Sequence, residues 1–538
     1  MSEITRRDFL KAGGVLVAGA FAAACGPGSQ SSSPQGAGSG QPRRGGVFRF
    51  PVNAPITPWP PRSAVQDLAV NKVIYSQLVK YGKDLTPQPD LAERWEVSAD
   101  GLTWTFYLSK DVTWHDGQPF TADDVRFSLE VFKDPRAGSV FLSNLAPIVR
   151  IETPDKYTVR LVTSEPFPSL AELLAYNISI MPRHRLEGQD TANPADFING
   201  PVGTGPFKFE EHVRGDHLTV VRNDNHFRGA PYLDAIIFKV IPELNTQVAQ
   251  LRTGEGDMAV IAMDHFDALK DVPGIRIDEA YQFDIRYMGL NFGHPRVGRW
   301  FADRRVRQAL AHAIDRQAIM RQTTREKGFV ATNIIPPFFN AWYNPNLKPY
   351  PYDPERAGRL LREAGWQPGP DGVLQKGGEK LRFEALCDKG NTEREQTALI
   401  VQQNLKAIGV QAEVNFMEFN AMLNRVRGPR DHEATIYYYV TPNSPDVFSY
   451  FGCGGATNEY GYCNQELDRL FREARRVFDY DKRREIYYKI QEILADDLPW
   501  VFIYHPVELR AMNRKVRNFP SIGYRDALLY MHEVWLEQ

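Results

Sequence analysis

Residues 100–135 read DGLTWTFYLSKDVTWHDGQPFTADDVRFSLEVFKDP, and three local signals follow one another in that stretch. Apolar and polar residues alternate on both sides of Asp100-Gly101, which predicts two half-buried strands joined by a tight hairpin. Asp116-Gly117 marks a second turn. Thr121 then opens a helix with Asp123 and Asp124 in its first turn, where carboxylates offset the exposed backbone N–H groups. Hairpin, turn and capped helix in that order is an α+β pattern, not strict βαβ alternation.

Working outward, alternation predicts strands at 148–151, 157–162, 207–213, 217–222 and 235–241. Leu244–Thr253 reads as a helix stopped by Gly254. Later helices are expected over Asp303–Arg321, Pro354–Ala364, 393–408, Asn464–Val477 and Asp481–Leu494. The strand VQAEVNF follows Gly409, and PWVFIYHP reads as a short buried strand. The chain has 538 residues, more than one core accommodates, so two or three lobes are expected.

The first 44 residues carry a different message. TRRDFLK places Arg6 and Arg7 ahead of an apolar run, Ala12–Ala24, too short to span a bilayer as a mature helix. Small residues then precede Cys25, the pattern of a lipoprotein processing site that leaves a lipidated cysteine. A leader cleaved to give a free protein is the alternative. Residues 26–44 are rich in Gly, Ser, Pro and Gln and cannot bury a core. They form a tether reaching roughly 25 Å. Net charge is −2, with no basic stripe for nucleic acid. Of the four cysteines, Cys453 and Cys463 form a candidate disulfide in a Gly-rich loop. Cys387 is left as a buried apolar residue.

Enzyme signatures are missing from the sequence. There is no G-x-x-x-x-G-K-[ST], H-E-x-x-H, C-x-x-C or G-x-S-x-G. Gly203-Thr204-Gly205 is half a dinucleotide fingerprint, and His115-Asp116 sits at a turn, where a structural role is expected. No catalytic set, metal site or cofactor is assigned. Aromatic residues are plentiful, with 23 Tyr, 31 Phe and 9 Trp. Tyr437, Tyr438 and Tyr439 stand together on a strand, so both of its faces carry rings. The run continues through Thr441, Asn443 and Asp446 as loop. An aromatic strand end feeding a polar loop suits a ligand cleft, with ordinary core packing as the alternative.

Residues 100–135 resemble the signature region of the large extracytoplasmic solute-binding proteins of ABC importers, the dipeptide/oligopeptide/nickel family. GPVGTGPFKF, RNDNHFRGAPYLDAIIFKVIPE, ADRRVRQALAHAIDRQAI, YGYCNQELDRLFREAR and QEILADDLPWVFIY resemble further segments of that family in the same order. The resemblance implies a periplasmic-binding-protein-like clamshell of mixed α+β and α/β content, two lobes closing on a ligand. Residues 45–80, 201–285 and 500–538 would form one discontinuous lobe, with 81–200 inserted and 286–499 forming the second. Crossings between lobes are expected near Tyr287–Phe292 and Trp500–Tyr504.

The resemblance implies a non-enzymatic receptor, monomeric and held on the outer face of the membrane by lipid at Cys25. It would deliver a solute, a di- or oligopeptide by family default, to permease and ATPase subunits. Peptide-binding members carry Trp-x-x-Asp where this chain has Tyr438-Tyr439-Val440-Thr441, and that Asp pairs with the peptide ammonium. Thr441 stands at the Asp position, and Asp446 lies five residues further on. An oligosaccharide or another weakly charged solute is therefore a competing ligand, followed by a nickel chelate. Tyr437, Tyr438, Tyr439, Thr441, Asn443 and Asp446 are the candidate ligand residues. A Tyr438→Ala change is expected to weaken binding with little loss of fold stability. A secreted hydrolase and a receptor without a transport role are the readings from other classes.

Overall fold

The computed structural model describes residues 41–62, 65–440 and 444–537. The leader, Cys25, Thr441 and Asn443 lie outside the described residues. The hairpin forms as read: Ala92–Val97 pairs antiparallel with Thr103–Leu108, and Gly101 takes the left-handed backbone (φ 73°) that its turn requires. Thr158–Thr163 and Ile148–Asp155 extend this pair to four strands. The helix Ala122–Lys133 starts at Thr121, whose backbone N–H donates to Asp124 Oδ2 at 2.8 Å in a capping box.

A second four-stranded sheet sets Val47–Val52 parallel to Ala235–Val240, followed by His217–Arg222 and Phe207–Val213. Both four-stranded sheets feed one core that includes Phe50, Trp59, Trp104, Phe106 and Phe132. A separate core covers a six-stranded sheet, in the order Phe329–Val330, Trp500–His505, Asp284–Leu290, Ala434–Val440, Arg382–Asp388 and Gln411–Met417. Between them lies a three-stranded sheet of Met258–Ile261, Val507–Asn513 and Ile275–Tyr281 with a small core of its own. Two large cores served by different sheets make a two-lobed clamshell of mixed α/β content.

The chain passes between the three- and six-stranded sheets twice, from Tyr281 to Asp284 and from His505 to Val507. This corrects the crossings expected near Tyr287–Phe292 and Trp500–Tyr504, and with them the assignment of residues 500–505 to the first lobe. Trp500–His505 is buried along its whole length and runs between two strands of the six-stranded sheet. Pro506, which has no N–H to donate, separates it from Val507–Asn513. The helix expected over Asp303–Arg321 is two helices, Arg304–Ala313 and Arg316–Thr323. Ile314 is extended, and the Asp315 carboxylate accepts the Ala318 N–H at 2.8 Å, so Asp315 caps a second helix instead of continuing the first.

His115 has a structural place. Its Nδ1 accepts the Gly203 N–H at 3.2 Å, and its Nε2 lies 3.0 Å from the Gly205 carbonyl. That pairing fits the neutral ring with the proton on Nε2, and burial pushes the His115 pKa down to about 4. Gly203 lies so close to the end of the Val65–Ile74 helix that a Cβ there would overlap the Ile74 carbonyl oxygen. The Gly-Thr-Gly run thus serves close backbone packing. Among the described residues no helix is long and apolar enough to cross a membrane.

Candidate ligand site

The strand Ala434–Val440 lies between Asp284–Leu290, antiparallel, and Arg382–Asp388, parallel. Its burial fades toward its end, from buried Tyr437 through half-buried Tyr438 and Tyr439 to exposed Val440. Asp284, the first residue after one lobe crossing, is the register partner of Val440. The open end of the tyrosine strand therefore lies beside the segment that joins the three- and six-stranded sheets.

The strand's two faces differ in chemistry. On one, Tyr437 packs edge-on against Tyr287, which stacks on Trp500 with ring centroids 3.9 Å apart. The Tyr287 and Tyr460 hydroxyls lie 3.0 Å apart. Tyr439 meets Tyr450 edge-on at 4.6 Å. Burial raises the phenol pKa values of Tyr437, Tyr439 and Tyr450, so these rings are neutral. Tyr437 is therefore mostly core, and Tyr439 is the ring on this face nearer the strand end.

On the other face Tyr438 covers two guanidinium groups. Arg394 lies 4.4 Å and Arg286 5.5 Å from its ring centre. Arg286, buried inside the strand DIRYMGL, donates from Nε and Nη2 to the two Glu393 carboxylate oxygens, each at 2.8 Å. Its Nη1 lies 3.6 Å from Asp284. Tyr504 donates its hydroxyl to Glu393 as well. Arg394 makes the matching two-pronged contact with Asp388, its Nε 2.8 Å from Oδ1. Burial is the largest single influence and acts to raise the Glu393 pKa, but the Arg286 charge and hydrogen bonds, the Tyr504 hydroxyl and the Arg394 charge together outweigh it and hold the carboxyl below its ordinary value. Burial likewise acts to lower Arg286, and Glu393 reverses it.

Asp446 is engaged elsewhere. Its carboxylate takes Arg475 Nε at 2.6 Å and Nη2 at 3.1 Å, and accepts the Phe448 N–H at 3.1 Å. It thus ties the loop after the tyrosine strand to Arg475, at the end of the helix Gln465–Ala474, and accepts the first amide of the short turn Phe448–Phe451. Cys453 and Cys463 are bonded to each other, and Cys387 is buried and unpaired, its thiol pushed up to about 12 by burial. Among the described residues no group of three or more His, Cys, Asp or Glu could hold a metal ion.

The structure thus brings Tyr438 and Tyr439 to the strand end, keeps Tyr437 largely in the core and commits Asp446 to Arg475. Sequence reasoning missed the charged layer under Tyr438, because Arg286 and Glu393 lie 107 positions apart. The one available signal was an arginine in the buried part of the strand DIRYMGL, since a charge there requires a partner. The strand end offers aromatic faces above paired, hydrogen-bonded charges.

Residues 86–460 match the family described as bacterial extracellular solute-binding proteins, family 5 Middle, and residues 3–23 match the twin-arginine translocation pathway signal sequence, which marks an exported protein. The oligopeptide-binding protein AppA of Bacillus subtilis is 28% identical over 539 residues, covering 97% of each chain. The solved complex of AppA with a nonapeptide superposes with a TM-score of 0.72 at 27% identity, over 93% of this chain and 100% of that one. NikZ from Campylobacter jejuni, solved with Ni(L-His), gives a TM-score of 0.73 at 26% identity, over 89% of this chain and 97% of that one. The chain belongs to the bacterial extracellular solute-binding proteins of family 5.

Proposed function

We propose that this chain is the non-catalytic receptor of an ABC importer. It captures di- or oligopeptides outside the cytoplasmic membrane and hands them to a permease powered by partner ATPase subunits. The observation that carries this reading is the likeness, along nearly the whole chain, to AppA, whose solved complex holds a nonapeptide. The twin-arginine match supports export, and Cys25 is the proposed point of lipid attachment, leaving residues 26–44 as the tether of a monomeric receptor. In this reading the lobes hinge at the two crossings, with residues 81–200 inserted in the first lobe. Ligand stabilises the closed state by contacts that the open state lacks. Tyr438 and Tyr439 line the cleft and, with Thr441 and Asn443, are the proposed ligand residues; Tyr437 backs them and Asp446 fixes the loop.

A metal chelate is the second reading, because NikZ was solved with Ni(L-His). Calorimetric titration of the mature chain with di- to nonapeptides and with a nickel–histidine complex separates the two. Saturable peptide binding supports the proposal. Binding of the chelate without any peptide refutes it, and so does binding only of neutral oligosaccharides.

A further inference from the structure

The helix Leu170–Asn177 contributes Leu170, Ala171 and Leu174 to the core of the two four-stranded sheets. The helix Tyr480–Asp497 contributes Ile486, Tyr487, Ile490 and Leu494 to the core of the six-stranded sheet. The two helices belong to different lobes, yet a side chain from each meets in a dry contact. Arg483 Nη2 donates to Glu172 Oε1 at 2.6 Å, and both side chains are more than nine-tenths buried, 7% and 9% exposed. The helices that carry them pack into different cores, so the pair exists only when the lobes are together.

The surroundings are built around this contact. The Arg483 guanidinium sits 4.7 Å from the ring centre of Trp342, which belongs to the second lobe's core. Tyr81, in the first lobe, donates its hydroxyl to the Glu172 carbonyl at 3.1 Å and steadies the acidic side. Beside the pair, Phe478 of the second lobe lies 5.9 Å from Trp104 of the first, close enough that a Cβ on Gly101 would overlap its ring. Arg475, which carries Asp446, feels the charge of Glu165 from the first lobe. Acidic groups on the first lobe thus face arginines on the second.

We propose that Glu172–Arg483, packed beside Trp104–Phe478, is a latch between the lobes that favours closure on its own account, whatever solute occupies the cleft. When the lobes part, both charged groups regain water, so the pair costs little in the open state. When they close, each finds a charged partner across the interface with a hydrogen bond strengthened by both charges. Removing one charge leaves the other buried and uncompensated in the closed form alone. The closed-to-open ratio is then expected to fall by about tenfold or more. The inference does not rest on the ligand being a peptide.

Small-angle X-ray scattering of the ligand-free mature chain tests it, with Glu172→Gln, Arg483→Gln and the charge exchange Glu172→Arg with Arg483→Glu. The expected result is a compact wild type whose scattering fits the closed structure, both single variants with a larger radius of gyration, and partial recovery in the exchange. Circular dichroism melting is recorded alongside, because the latch predicts near-wild-type melting for the isosteric Glu172→Gln change. A wild type that scatters as an open molecule overturns the proposal. So does a Glu172→Gln variant as compact as wild type, or one that unfolds, since the pair would then support one lobe's core rather than join two.

Discussion

Replacing Glu393 by glutamine leaves the shape of the charged layer under Tyr438 intact and removes its central negative charge. Arg286 is buried and receives both of its short charged contacts, each 2.8 Å, from Glu393. Removing one member of a buried pair costs about 3–5 kcal/mol, because the partner's desolvation is no longer offset. Asp284, 3.6 Å from Arg286 Nη1, retains part of the compensation, and the glutamine amide oxygen can still accept one bond. The expected loss is therefore at the lower end, about 3 kcal/mol at pH 7.

The pH dependence gives a second reading of the same variant. The Glu393 pKa is held below its ordinary value of 4.5 in the fold. Its stabilisation is thus complete above that ordinary value and is lost as pH falls through the lowered folded value. Urea unfolding of wild type and Glu393→Gln, followed by tyrosine and tryptophan fluorescence at several pH values between about 7 and 3, measures both effects. The two curves should lie furthest apart at neutral pH and converge in acid. A loss below about 1 kcal/mol at pH 7, the range of an exposed pair, would refute the reasoning, as would a constant gap down to pH 3.

Tyr438→Ala removes a ring from above two guanidinium groups, at 4.4 and 5.5 Å. It should cost about 1–2 kcal/mol in thermal unfolding, more than the small loss that the sequence led us to expect, and it should weaken peptide affinity in calorimetry. Unchanged affinity would remove Tyr438 from the site. Gly203→Ala forces a Cβ into the Ile74 carbonyl and should destabilise the first lobe by about 3 kcal/mol or more; a melting temperature equal to wild type would show that the helix end can shift.

Local signals were read well because their causes are local. The turn at Asp100-Gly101, the cap at Thr121 and the stop at Gly254 each depend on a few neighbouring residues, and the helix Leu244–Thr253 has the limits that its sequence implies. The helix over Asp303–Arg321 was read as unbroken because its apolar spacing runs through Ile314. The break is made by a single carboxylate, Asp315, which competes for the amides that follow it. The crossings were misplaced for a different reason. A continuous apolar run such as WVFIYH reads as a buried strand in either lobe, and only its pairing partners decide which. The site was half legible. Three adjacent tyrosines mark an aromatic strand, but nothing nearby shows that Arg286, Glu393, Arg394 and Asp388 assemble beneath Tyr438, or that Glu172 and Arg483 meet across the lobes. Apart from Arg394–Asp388, those contacts join residues far apart in sequence, and a charged residue carries no trace of its distant partner.

Mass spectrometry of whatever small molecules the mature protein carries through purification, released by mild denaturation, tests the central claim most directly. A set of short peptides of varied sequence and limited length range is the predicted result. A single neutral sugar, or a metal chelate with no peptide, would contradict it.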